Sequence, residues 1–143
     1  MEKEIFKDAR VRKAVAHAVN RQEIVQFVMK GQADVSHGFL HPLVAGASTK
    51  EQMRPFMADF ELDKSRQLLT EAGWTPGASG MRQKDGKPLS ANLYVFTELH
   101  ERIVTPVQAQ LRQVGFDLQL KRLEAAAFTS ATRAGSTTRA SCR

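Results

Sequence analysis

Cysteine is almost absent from this 143-residue sequence: the single copy, Cys142, stands next to the last residue. One thiol forms no intrachain disulfide, builds neither a zinc cluster nor a CxxC redox pair, and leaves the redox compartment open. No apolar run approaches the roughly 18 residues that a membrane span needs. The start, Met1-Glu-Lys-Glu-Ile5, lacks the basic region and apolar run of an export signal, so no self-export is expected of these residues. Gly73 to Gly80 matches neither nucleotide-binding glycine fingerprint, and no nucleophile elbow surrounds the Ser36-His37 pair. With Cys142 stranded at the end, no assembled nucleophile is legible, and the expectation is a protein that is not an enzyme and needs no cofactor or metal.

What is present is an ordinary globular composition, 42% hydrophobic and 25% charged, at a length that holds one domain with a real core and not two. Lys plus Arg exceed Asp plus Glu by 21 to 15, and the excess lies in the second half, where residues 74–143 carry 10 bases against 5 acids. No acid follows Glu124, so Arg133, Arg139 and Arg143 make a small basic tail. The other charges are interspersed as on a solvated surface, and no nucleic-acid partner is expected from them.

Hydrophobic spacing predicts an α/β chain. Asp8 caps a helix whose apolar positions Val11, Ala14, Val15, Ala18 and Val19 recur at three and four and which ends near Asn20. Asn20 and Glu23 have capping-box spacing for a second helix ending at Gly31. From Gln32 to Asp59 periodicity is lost, which predicts a long ordered loop anchored by Phe39, Leu40, Leu43 and Phe56. Asp63 then caps a helix through Leu68, Leu69 and Ala72 that stops at Gly73, with Trp74 folding back. Asp85-Gly86 supplies the positive φ angles of a tight hairpin turn. Ala91 to Phe96 reads as a largely buried strand, Leu99 to Val114 as a helix and Phe116 to Leu123 as a half-buried strand, together a βαβ unit. Pro106 allows two readings, a fresh start capped by Thr105 or a kink in one helix. Ala125 to Ala134 predicts one more helix.

Candidate chemistry is sparse. His37 and His41 are four apart, but Gly38 and Pro42 place them in a loop without a third ligand. His17 lies beside an apolar stripe, as a partly buried, hydrogen-bonded histidine does. Topology marks the segments beyond the carboxyl ends of the parallel strands, Thr97 to Glu101 and Glu124 to Phe128, as the place where a ligand would gather.

Four stretches in order resemble one family. Asp8-Ala-Arg-Val-Arg-Lys-Ala-Val-Ala-His-Ala-Val-Asn-Arg-Gln-Glu-Ile24 is similar to a "D-x-R-V-R-Q-A-hydrophobic-x-x-A-I-D-R-E-x-I" helix pair. Gly31 to Pro42 resembles "G-x-A-x-x-x-x-G-P-L-x-P", with Phe39 where Pro is usual. Leu62 to Trp74 resembles "D-P-E-K-A-K-x-L-L-x-E-A-G-W", followed by the Asp85-Gly86-Lys87 turn. Val107 to Leu120 resembles "I-Q-A-Q-L-x-x-V-G-I-x-V-x-L". Together these residues resemble the family 5 extracellular solute-binding proteins, the peptide, dipeptide and nickel receptors of bacterial ABC importers.

The resemblance implies a class II periplasmic-binding-protein fold, in which two lobes close on a peptide or other small solute that passes to ABC permease subunits in the membrane. It further implies that residues 1–135 are part of the C-terminal lobe, a truncated lobe whose ability to hold ligand alone is in question, and that 136–143 form a flexible basic tail. After Gly135 the motif expects an aromatic-Asp pair where Ser136-Thr-Thr-Arg stands, as a truncation or shifted reading frame would produce. Carried over position by position, the resemblance implies ligand contacts at Thr132 and Arg133, with Arg133 suited to a peptide carboxylate, at the Glu124 helix, and at His37 and Phe39 in the long loop. It places the parent protein in the periplasm or outside the cell. An uncovered apolar face, left by missing lobe partners, predicts homo-oligomers. The other reading open to the sequence is a stand-alone basic interaction domain for an acidic partner or nucleic acid.

Overall fold

The computed structural model describes residues 2–36, 38, 40 and 44–124. Asp8 begins the main helical layer: its carboxylate accepts from the Arg10 N–H at 2.9 Å and starts α2 (Ala9–Ala18), after the single turn of α1 (Glu2–Ile5). The hydrogen-bonding Arg10 guanidinium and backbone N–H hold the Asp8 carboxyl at about 2, below its ordinary 3.8. A depressed folded-state pKa stabilises the fold above the unfolded value, and that contribution disappears as pH falls from about 4 through about 2. A carboxyl-shift titration by NMR is expected to show Asp8 titrating near 2. A normal titration near 4 would remove the cap from this account.

Val11, Ala14 and Ala18 bury one face of α2 against α5 (Leu62–Glu71). Asn20 caps α3 (Arg21–Glu23) by accepting from the Glu23 N–H at 3.1 Å, and the helix widens into a π turn over Ile24–Val28 before Gly31 at φ +73. The expected capping box is only half made. The buried Gln110 side chain intervenes: its oxygen accepts from the Asn20 N–H at 3.0 Å and its NH₂ donates to Glu23 Oε2 at 3.0 Å. A residue ninety positions away thus supplies the bond that a local Glu would have made.

The long loop is not structureless. Thr49 and Gln52 form a complete capping box on the short α4 (Lys50–Met53), which continues as a 3₁₀ turn over Arg54–Phe56 with Pro55 inside it. Four residues are too few to show periodicity, which is why the sequence reads only loop there. Two expected anchors fail: Leu40 is 50% exposed and Phe56 is 80% exposed. The other two, Phe39 and Leu43, lie outside the described residues, as do His37, His41 and Pro42.

α5 begins earlier than Asp63. Glu61 is its N-cap residue and its side chain makes no capping bond, while Asp63 sits in the first turn and pairs with Arg66 at 2.8 Å. The entry is set from outside the helix, because the Glu61 N–H donates to the His17 carbonyl at 2.9 Å and Leu62 packs on the core. The other end follows the sequence: Gly73 takes φ +86, the Trp74 N–H returns to the Leu69 carbonyl at 2.9 Å and the indole is buried.

Ser65 is fully buried on α5, and its hydroxyl has no partner among the described residues. An unsatisfied buried hydroxyl costs on the order of 1 kcal/mol. Ser65→Ala is therefore expected to raise the thermal midpoint by about 3 °C, measured by circular dichroism melting. A lowered midpoint would show that the hydroxyl has an acceptor after all.

After α5 comes a three-stranded antiparallel sheet of β1 (Thr75–Pro76), β2 (Arg82–Lys84) and β3 (Lys87–Pro88), in that order. The turn is the expected one, with Asp85 at φ 52 and Gly86 at φ 72, while β1 adds an unexpected third strand. β4 (Ser90–Val95) and β5 (Asp117–Arg122) pair in parallel, Ser90 opposite Asp117, across α6 (Glu98–Arg112). This is the predicted βαβ unit. Thr97 caps α6, which runs unbroken through Pro106, so the single-helix reading holds, with the Thr105 hydroxyl donating to the Glu101 carbonyl at 2.8 Å. β4 is less buried than expected: Ala91 and Val95 are inside, whereas Leu93 on the same face is 37% exposed and Phe96, just past the strand, is 39% exposed. The predicted helix from Ala125 to Ala134 and the tail 136–143 lie outside the described residues.

Candidate functional site

The parallel pairing decides which groups stand together. Because β4 and β5 run side by side, their carboxyl ends coincide, and the Leu123 N–H donates to the Val95 carbonyl at 2.9 Å, carrying the ladder one step beyond the strands. Glu124, exposed, follows this bond directly in the chain. On the α6 side the Thr97 hydroxyl accepts from the His100 N–H at 3.1 Å, and the Phe96 and His100 rings meet edge to face with centroids 4.7 Å apart. Glu101 and Arg122 join the two ends of the unit with an ion pair at 3.3 Å.

The resulting edge has an aromatic pair, a neutralised carboxylate-guanidinium pair, an exposed Leu99 and an open carboxylate at Glu124. Such groups recognise a ligand through stacking and hydrogen bonds. Sequence reasoning placed Thr97 to Glu101 and Glu124 here from topology. It missed the Arg122–Glu101 and Phe96–His100 partnerships, for which the available signal was a polar or aromatic residue at each strand end.

Of the five candidate ligand contacts, Glu124 is at this edge, and Thr132, Arg133, His37 and Phe39 lie outside the described residues. His17 is a hydrogen-bonded histidine as expected, with Nδ1 2.8 Å from the Asp59 carbonyl and 4.0 Å from Glu61. The Ser36 hydroxyl donates to the Gly38 carbonyl at 2.8 Å. No group of three or more His, Cys, Asp or Glu that could hold a metal ion occurs among the described residues.

The sequence profile of a family described as bacterial extracellular solute-binding proteins, family 5 Middle, matches residues 1–138. The oligopeptide-binding protein AppA of Bacillus subtilis is 32% identical over 124 residues, covering 85% of this chain and 22% of that protein. The nickel-binding periplasmic protein of Escherichia coli is 31% identical over 113 residues, covering 77% of this chain and 21% of its own length. This chain thus spans about a fifth of these curated relatives. In three dimensions it is similar to NikA from Brucella suis, solved in complex with Fe(III)-EDTA: the TM-score is 0.78 at 32% identity, over 91% of this chain and 26% of that one.

Proposed function

Since the chain belongs to the family 5 bacterial extracellular solute-binding proteins, we propose that it is the middle part of a C-terminal lobe whose role is to capture a small solute, a peptide in the first instance, for an ABC importer. The reading is one of binding and not of catalysis, in line with a family made of solute-binding proteins. The observation that carries it is the match over residues 1–138, supported by the 32% identity with an oligopeptide-binding protein. The place of action is the periplasm or cell exterior, and the partners are permease subunits.

In this reading the ligand meets the carboxyl edge of the βαβ unit. Glu124 supplies a carboxylate there, and Thr132 and Arg133 further along, with His37 and Phe39 from the long loop, complete the contacts. Arg133 would meet a peptide carboxylate through a charge-assisted bond. One lobe buries only part of a ligand, whereas small-molecule sites commonly bury about 70% or more of one, so capture by this chain alone is expected to be weak or to need a second copy. The exposed apolar side chains Leu93, Phe96 and Leu99 favour such self-association.

Native mass spectrometry of the purified chain, offered a mixture of short peptides, tests the reading. Extra mass corresponding to a peptide, lost in Arg133→Ala, supports it. A bare mass across the whole mixture, at every concentration tried, counts against peptide capture by this chain.

A further inference from the structure

A groove of about 470 Å³ lies between one face of α2 and the end of α4 with the segment following it, and none of the strand-end residues lines it. On α2 the small residues Ala9 and Ala16 stand at either end of a stripe that has Arg12 and Lys13 between them, which leaves a concavity with two cations in it. Arg21 adds a third cation. No Asp or Glu lines the groove among the described residues.

The arginines are held in place by neutral groups. Arg12 donates to the Phe6 and Lys7 carbonyls at 2.6 and 2.8 Å, and Arg21 to the Ala58 carbonyl at 3.1 Å. The ion pairs given for the described residues involve other cations, and none joins Arg12, Lys13 or Arg21 to a described carboxylate. The opposite wall is apolar, made by Met53, Phe56 and Met57, with the Phe56 ring 80% exposed.

A concave site with cations of one sign on one wall and an exposed aromatic on the other is complementary to a molecule with an apolar body and an anionic end. We propose that this groove binds a small carboxylate amphiphile, with the carboxylate towards Arg12, Lys13 and Arg21 and the apolar body against Met53, Phe56 and Met57. Covering Phe56 removes apolar surface from water, and the carboxylate meets guanidinium and ammonium groups that donate charge-assisted hydrogen bonds. The site rests on the groove alone and is independent of solute capture at the strand ends.

Calorimetric titration of the 143-residue chain with sodium octanoate tests it, with octylammonium as the charge-reversed probe. Saturable octanoate binding is expected, weakened on the order of tenfold by Lys13→Glu and again by Phe56→Ser, with no binding of octylammonium. Both side chains are exposed, so neither variant disturbs the core. Absence of octanoate binding, equal binding of octylammonium, or unchanged affinity in either variant overturns the proposal, whatever the chain does with peptides.

Discussion

Arg82→Met is expected to lower the stability of the chain by about 3 kcal/mol, the largest effect of any polar substitution among the described residues. Arg82 is buried, 7% exposed, and its guanidinium donates to three acceptors: the Val114 carbonyl at 3.0 Å, the Thr70 hydroxyl at 2.9 Å and the Trp74 carbonyl at 2.6 Å. Val114 and Trp74 lie just past the ends of α6 and α5, whose last carbonyls already accept from returning N–H groups such as those of Gly73, Trp74, Val114 and Gly115. One guanidinium therefore ties together the two segments that leave these helices. Burial, and secondarily Arg66, push its pKa down, yet it remains a cation at neutral pH because the ordinary value is so high.

Removing it relieves the cost of burying a charge but leaves carbonyls without donors in a low-dielectric site, and the second effect is the larger. Arg82→Lys is expected to fall between, since an ammonium on a thinner stem cannot reproduce the planar fork. Urea denaturation of the three proteins measures the series. If Arg82→Met unfolds within about 0.5 kcal/mol of the parent, the Val114 and Trp74 carbonyls are satisfied by water and the role assigned to Arg82 is wrong.

Gly115→Ala is expected to cost about 2 to 4 kcal/mol, for a reason that its neighbour Arg82 makes specific. Gly115 follows α6 at φ +81, and a Cβ there would stand 2.8 Å from Arg82 Cγ, 3.1 Å from the Arg82 backbone nitrogen and 3.2 Å from the Gly80 carbonyl oxygen. Two of those neighbours are backbone and cannot swing aside. The same crowding has a purpose, because the Arg82 N–H donates to the Gly115 carbonyl at 2.8 Å, so the close approach is itself a bond between the antiparallel sheet and the helix end.

Gly46 is the control. It has a similar φ of +84, and among the described residues no atom outside its chain neighbours lies within 4 Å of the point where a methyl group would stand, so Gly46→Ala carries only the conformational cost of about 1 kcal/mol. Melting curves of the two variants separate steric crowding from backbone strain: equal destabilisation would mean that crowding at Gly115 is relieved by movement. Because Arg82 and Gly115 touch, the double variant is expected to lose less than the two single losses together.

Much of the fold was legible because its signals are local. The Asp8 cap, the Gly73 stop with Trp74 folding back, the Asp85-Gly86 turn and the alternation of strand, helix and strand from Ser90 to Arg122 each depend on residues within about one helical turn or one strand pair of one another. The misses have the opposite character. The α5 start was displaced because the Glu61 N–H bonds to His17, and the capping box at Asn20 was interrupted by Gln110. Both partners are distant in sequence. At the candidate site, topology alone marked the strand ends, whereas the Arg122–Glu101 pair required knowing which helical turn of α6 faces the end of β5.

By itself the sequence determined the element types, the turn chemistry, the βαβ connection and family membership, since hydrophobic period and backbone preference act over a few residues and ordered motifs survive intact along the chain. Only the tertiary structure decided that Leu93 would stay exposed between the buried Ala91 and Val95, that Arg82 would join the segments leaving two helices, and that Arg12, Lys13 and Arg21 would line one groove with an exposed phenylalanine. Those outcomes depend on side chains brought together from far along the chain, where burial and unmet hydrogen-bonding groups, and not local preference, select the partner.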